Sequence, residues 1–150
     1  MGYKETFEAA KSGFTMYGFN FQLILDEYGL DKALEFHAKH GTVYGHSAAN
    51  MLMEYDHEAL AEHFKRISTG MGFNQEYIVD PPQVTVKTHE CPMYSGWSEA
   101  GLSHEMIHTM CQAYGFATCM VIQDYLPGAK FVLKKFRETP QDYCLEEYEY

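Results

Sequence analysis

A chain of 150 residues is the length of one ordinary domain with a single core, and we expect residues 1–150 to form one domain. Acidic residues outnumber basic ones 21 to 11, and the resulting formal charge of -10 disfavours binding to nucleic acids or anionic membranes. No apolar run approaches the roughly 18 residues needed to cross a bilayer, so we expect a soluble, cytoplasmic protein.

Helical patterns fill the first half of the chain. A short helix is predicted over 4–11, with Gly13 and Gly18 interrupting it, and the first 25 residues suggest no function. Apolar residues at three- and four-residue steps predict a long helix over 30–55, on which Gly41 permits another backbone to approach closely. Asp56 is expected to cap a further helix that ends near residues 70–72.

The second half changes to strands around one helix. Period-two alternation predicts strands in EYIVD, QVTVKTHE, AKFVLKKF and YCLEEYEY, the last with Cys144, Glu146 and Tyr148 on one face. Pro92 is expected to start a short helix, and Ser103 to cap a long one over 104–125. The sequence therefore predicts an α+β fold, with a helical N-terminal half packed on a small antiparallel sheet and one embedded long helix.

Strand alternation places His89 and Cys91 on one face, with Lys87 beside them. An imidazole and a cation next to a thiol lower its pKa and favour a thiolate nucleophile. Since the four cysteines form no CxxC pair and a chain of this size needs no disulfide, we expect reduced thiols. Cys119 lies off the buried stripe of its helix and is read as a small apolar residue.

The motif HEMIH presents a second kind of candidate site. Two histidines four residues apart on a helix, His104 and His108, share a face on which zinc could bind. Eight histidines in a short chain make a chance match easy, and no further histidine follows at the spacing of the extended motif. We therefore expect no cofactor, and zinc at this helix is the less favoured alternative.

Several segments together resemble the L-2-amino-thiazoline-4-carboxylic acid hydrolase-like family. They are ALEFHAKHGTVYG, a strand entering CPMY, AGLSHEMIHTMC, LPGAKF and the terminal-strand Cys144, so the resemblance covers the chain from about Leu30 to its end. It implies a cytoplasmic α+β domain that opens a small thiazoline ring by hydrolysis, with Cys91, Cys111 and Cys144 as the matching cysteines. Tyr114 stands near the position where the family pattern has an acidic residue.

The function predicted from these residues is a small-molecule hydrolase that opens a C–N or C–S heterocycle. Cys91 is the expected nucleophile, His89 its base and Cys111 a further catalytic residue. The expected substrate-binding residues are His37, His40, Tyr44, Tyr94, Trp97, Tyr114 and Cys144.

Three other functions are compatible with the same residues. They are a non-catalytic small-molecule-binding or sensor domain, a cofactor-free isomerase or lyase, and a zinc hydrolase that uses HEMIH. The expected partner is a small molecule, not nucleic acid or membrane, and the chain is compatible with a homo-oligomer.

Overall fold

The computed structural model describes residues 2–150, which form five helices and four strands. In chain order these are α1 (Tyr3–Tyr28), α2 (Leu30–Glu54), α3 (His57–Gly70), β1 (Asn74–Asp80), β2 (Gln83–Glu90), α4 (Pro92–Glu99), α5 (His104–Tyr125), β3 (Lys130–Lys135) and β4 (Cys144–Glu149). The strands form one antiparallel sheet in the order β1-β2-β4-β3. The predicted α+β class is confirmed: a helical N-terminal half precedes a small sheet with a long helix between its strands.

Helix α1 is much longer than predicted, since it runs through both glycines to Tyr28. A glycine in a helix costs about 1 kcal/mol relative to alanine, which is why the sequence suggested an early end. In the structure, a Cβ at Gly18 would lie 2.6 Å from the Cβ of Ala100, so the glycine lets α1 pack tightly against α4. Burial of Phe21, which is 2% exposed, further stabilises the second half of α1.

Helices α2 and α5 pack along each other and form the largest helix contact of the fold. A Cβ at Gly41 would lie 2.5 Å from the backbone oxygen of Tyr114. The Thr118 hydroxyl also donates a hydrogen bond to the Gly41 carbonyl at 3.1 Å. The predicted role of Gly41 in a close backbone approach is confirmed.

Helices α3, α4 and α5 begin where capping residues and a proline in the sequence predict. Asp56 caps α3 through a hydrogen bond from the Ala59 N–H, and the Ser103 hydroxyl caps α5 in the same way from Met106. Pro92 opens α4, so the thiol of Cys91 lies at the start of that helix. These caps fix where the elements flanking the site begin.

The two faces of the sheet differ in character. The inward face covers the helices and consists mainly of apolar and aromatic residues. Its residues are Tyr77 of β1, Val84, Val86 and Thr88 of β2, Phe131 and Leu133 of β3, and Cys144, Glu146 and Tyr148 of β4. The outward face carries ion pairs such as Lys134–Glu147 at 2.9 Å. The predicted shared face of Cys144, Glu146 and Tyr148 is confirmed, and it faces the interior.

Among residues 2–150, no helix combines the length and the apolar character that crossing a membrane requires.

Candidate functional site: a cavity beneath the sheet

A cavity of about 870 Å³ lies between the inward face of the sheet and the helices. Its wall is predominantly apolar and aromatic, and it is formed by residues of all four strands and all five helices. Three residues of the wall, Phe36, Val43 and Met71, are also exposed at the surface, with exposed fractions of 49%, 72% and 49%. They mark an opening between α2 and the C-terminal end of α3.

Cys91, Cys111 and Cys144 all lie in the wall of this cavity, although they come from three different elements. The Cys91 sulfur accepts a hydrogen bond from the Tyr94 N–H at 3.3 Å, as the N-cap of α4. Cys111 lies on α5, and Cys144 is the first residue of β4. The structure therefore brings together the three cysteines that the sequence singled out.

Burial controls the ionisation of these thiols. It raises the pKa of Cys91 to about 11 and that of Cys111 well above its ordinary value. The Arg137 guanidinium lowers both pKa values, but by less than burial raises them. Both thiols are therefore protonated at neutral pH in the free protein, which is the opposite of the predicted lowering of the Cys91 pKa.

The predicted pairing of His89 with Cys91 on one strand face is wrong. Gln75 of β1 pairs with Thr88, but the next residue, Asn74, pairs with Glu90, so His89 is an extra residue in β2. This irregularity reverses the alternation, and Cys91 then lies on the inward face with Thr88. The His89 ring is on the outside, 3.4 Å from the Glu76 carboxylate, and does not line the cavity.

Lys87 does not approach the thiols either, because its ammonium group lies over the Tyr143 ring, 4.4 Å from the ring centre. The cation beside the thiols is Arg137, which sequence analysis missed. It is fully buried and donates hydrogen bonds to the Cys144 sulfur at 3.4 Å and to the carbonyls of Thr88 and Pro140. None of these acceptors is a carboxylate.

His37 lies in the cavity wall and is 2% exposed. Its Nε2–H donates to the Met110 carbonyl at 3.0 Å, so its Nδ1 accepts from the Tyr17 hydroxyl at 2.7 Å. Burial lowers the pKa of His37 to about 4. His40 packs edge-on against Tyr17 near the cavity opening, and Trp97, 2% exposed, packs against His37.

The two histidines of HEMIH, His104 and His108, lie beside the ring of Phe136. His108 stacks on Phe136 with 4.5 Å between ring centres, and His104 Nδ1 lies 3.1 Å from the Tyr94 hydroxyl. Within residues 2–150, no group of three His, Cys, Asp or Glu side chains is arranged to hold a metal ion. The pair therefore has no third protein ligand in the described chain.

A carboxyl group lies in the middle of the cavity wall among tyrosines. Glu146 accepts a hydrogen bond from the Tyr148 hydroxyl at 2.9 Å, and its pKa is raised by burial. The pKa values of Tyr44 and Tyr77 are raised mainly by burial and further by the negative charge of Glu146. Tyr114 stacks on Tyr44 at 6.0 Å.

Sequence reasoning assigned no role to Glu146, although the alternation of β4 placed it on the same face as Cys144 and Tyr148.

Cys119 also lines the cavity, and its sulfur lies 3.7 Å from the Ala129 carbonyl. The site thus offers a large apolar volume, three thiols near a buried guanidinium, and one carboxyl group among phenols. Such a site can enclose an organic molecule and can donate or accept a proton at Glu146.

No protein-family model matches the chain, and no curated protein or solved structure matches it significantly.

Proposed function

We propose that this chain is a small-molecule-binding domain that encloses an elongated, mainly apolar organic ligand. The observation that supports this function is the cavity of about 870 Å³, which falls within the range of roughly 300–1,000 Å³ typical of ligand pockets. A void of this size in a domain of 150 residues forgoes packing that would otherwise stabilise the fold. A ligand bound in the cavity would supply the missing packing contacts.

The direction of β4 supports an elongated ligand. Cys144, Glu146 and Tyr148 all line the cavity, and the first and last of them are about 14 Å apart at a rise of 3.4 Å per residue. Tyr150 extends the wall beyond the end of the strand. A ligand lying beneath β4 would therefore pass the thiols at one end and the tyrosines in the middle.

The binding function is tested by filling the cavity from β3. Leu133→Trp places an indole on the inward face, whereas Val132→Trp places it on the outward face, where Val132 is 44% exposed. With an uncharged fluorescent apolar probe such as Nile red, we expect at least a tenfold loss of affinity for Leu133→Trp and none for Val132→Trp. Equal binding by both folded variants contradicts the proposal, and mass spectrometry of co-purified molecules gives an independent check.

A second candidate function is the hydrolase predicted from the sequence, which acts on a small cyclic C–N substrate such as a thiazoline carboxylate. The convergence of Cys91, Cys111 and Cys144 beside Arg137 favours it. The Cys91 thiol would add to the ring carbon of the C=N bond, and its proton would pass to the ring nitrogen. The bond from that carbon to the ring sulfur would then break, and Glu146, whose pKa is raised, would give its proton to the leaving sulfur. A water molecule would then add to the same carbon, release the product from Cys91, and return its two protons to the Cys91 thiolate and the Glu146 carboxylate.

Cysteine substitution tests this second function. With 2-aminothiazoline-4-carboxylate as the substrate and chromatographic detection of the product, Cys91→Ser should abolish turnover and leave the melting temperature nearly unchanged. Cys119→Ser is the matched control, because this thiol lies apart from Arg137, and it should keep its activity. Turnover that survives Cys91→Ser, or a wild-type protein without turnover, argues against the assignment.

A further inference from the structure

Glu146 is a carboxyl group deep inside the protein with little to balance a negative charge. Among residues 2–150 its one hydrogen bond comes from Tyr148, and it takes part in none of the ion pairs of the structure. It keeps some accessible surface, and this surface faces the cavity because the residue lies on the inward face of β4. Burial raises its pKa, which indicates that the carboxylate is poorly solvated.

Tyrosine side chains lie near this carboxyl group. Tyr148 bonds to it directly, and Tyr44 and Tyr77 are close enough for its charge to raise their pKa values. Tyr114 extends the group by stacking on Tyr44. We call the four tyrosines, 44, 77, 114 and 148, the tyrosine cage.

A carboxylate within an aromatic cage has a preferred ligand. The faces of aromatic rings attract cations, and quaternary or alkylated ammonium groups are the cations that such cages recognise. A bound ammonium group would also supply the counter-charge that Glu146 lacks. The buried cation beside the thiols, Arg137, does not supply this counter-charge, because its hydrogen bonds go to Cys144, Thr88 and Pro140.

We propose that the ligand of this cavity is an organic cation, whose ammonium group lies between the Glu146 carboxylate and the tyrosine cage and whose apolar part fills the rest of the cavity. This inference rests on the proposed binding function and names its ligand class. The chain's net charge of -10 would also attract such a ligand from solution.

The test uses three probes with the same ten-carbon chain and different head groups. They are decyltrimethylammonium, 1-decanol and decanoate, each titrated into the whole chain at pH 8 by calorimetry below its micellar concentration. We expect the cation to bind at least ten times more tightly than the alcohol, and decanoate to bind more weakly than the alcohol. Glu146→Gln should reduce the affinity for the cation to that for the alcohol and leave the affinity for the alcohol unchanged.

The neighbouring residue gives the matched control. Glu147→Gln removes the same charge from the outward face, where Glu147 pairs with Lys134, and should leave all three affinities unchanged. Tyr44→Leu, which keeps the carboxylate and removes one ring of the cage, should weaken binding of the cation several-fold and not that of the alcohol.

The possible outcomes separate the two proposals. If decanol binds and neither the head-group charge nor Glu146→Gln matters, the cation site is wrong and the binding function stands. If none of the three probes binds to the folded wild-type protein, the binding function itself is contradicted, and the ligand class with it.

Discussion

At the scale of single residues, hydrogen bonding and burial together fix the charge of His37. Its two ring nitrogens are used by Met110 and Tyr17, so neither is free to bind a ligand. Protonation would place a charge in an apolar, nearly solvent-free position. His37 therefore acts as a neutral link between α1, α2 and α5, and it orients the Tyr17 ring in the cavity wall.

We predict that His37 makes the fold sensitive to acid. The pKa of His37 is about 4 in the folded chain, against an ordinary value of 6.5, so its contribution to stability is complete above pH 6.5 and is lost as the pH falls towards 4. The loss should be on the order of 3 kcal/mol. Urea unfolding of the wild type and of His37→Gln at pH 7.5 and 4.5 measures it, since the variant should be less stable at pH 7.5 but lose less on acidification.

His46→Gln is the control for this measurement. His46 lies on the same helix but is exposed, with Nδ1 3.2 Å from the Tyr125 hydroxyl. Its replacement should leave the pH dependence of stability as in the wild type. If His37→Gln and the wild type lose the same free energy between the two pH values, the neutral state of His37 does not control acid sensitivity.

At the scale of elements, glycines set how closely the helices pack. Gly41 and Gly45 lie on the face of α2 that contacts α5, and a Cβ at Gly45 would lie 2.8 Å from the Cβ of Val121. Gly18 has the same role between α1 and α4. The separation of α2 and α5 helps to define the cavity, because the tyrosine cage takes Tyr44 from one helix and Tyr114 from the other.

Substitution of two helical glycines should have opposite effects. Gly41→Ala forces a methyl group against the Tyr114 backbone and should destabilise the fold by about 1–3 kcal/mol. Gly13→Ala in α1, where a Cβ would meet nothing within 4 Å, should stabilise it by about 0.5–1 kcal/mol. Chemical denaturation of both variants measures the difference, and destabilisation by Gly13→Ala would show that α1 does not continue through this position.

Which elements the sequence could predict depends on whether their signals are local. The bounds of α5 and the cap of α3 were predicted correctly, because apolar periodicity and capping residues are local signals. The length of α1 was not, because its glycine at position 18 is favourable only through a contact with Ala100, 82 residues away. The extra residue at His89 also escaped prediction, since it depends on how β2 pairs with β1.

At the scale of the whole molecule, the cavity occupies the space between the helices and the sheet. Part of the cavity wall could be predicted from the sequence, because the alternation of β4 places Cys144, Glu146 and Tyr148 on one face. Arg137 was not, because a single arginine in a loop carries no periodic signal. Its position beside the thiols is created by three contacts that involve β2, the loop before β4 and the first residue of β4.

We predict that the fold protects two of its thiols from alkylation. The pKa of Cys91 is about 11 and that of Cys111 is higher than usual, so at pH 7.5 both should react with iodoacetamide at least a hundredfold more slowly in the native chain than in urea. Mass spectrometry of timed samples measures each site. A native Cys91 that reacts rapidly would contradict this prediction and would favour the hydrolase over the binding domain.

The order of the strands also bears on how the chain behaves at high concentration. In the order β1-β2-β4-β3, the edge strand β3 presents unpaired backbone groups to which a strand of another molecule could add. Lys130, Lys134 and Lys135 lie on this edge, and each is paired with a carboxylate of the same chain, Glu149, Glu147 and Asp142 respectively. A strand that added to this edge would have to pack against these charged side chains and disturb their ion pairs, so the lysines disfavour growth of the sheet into an aggregate.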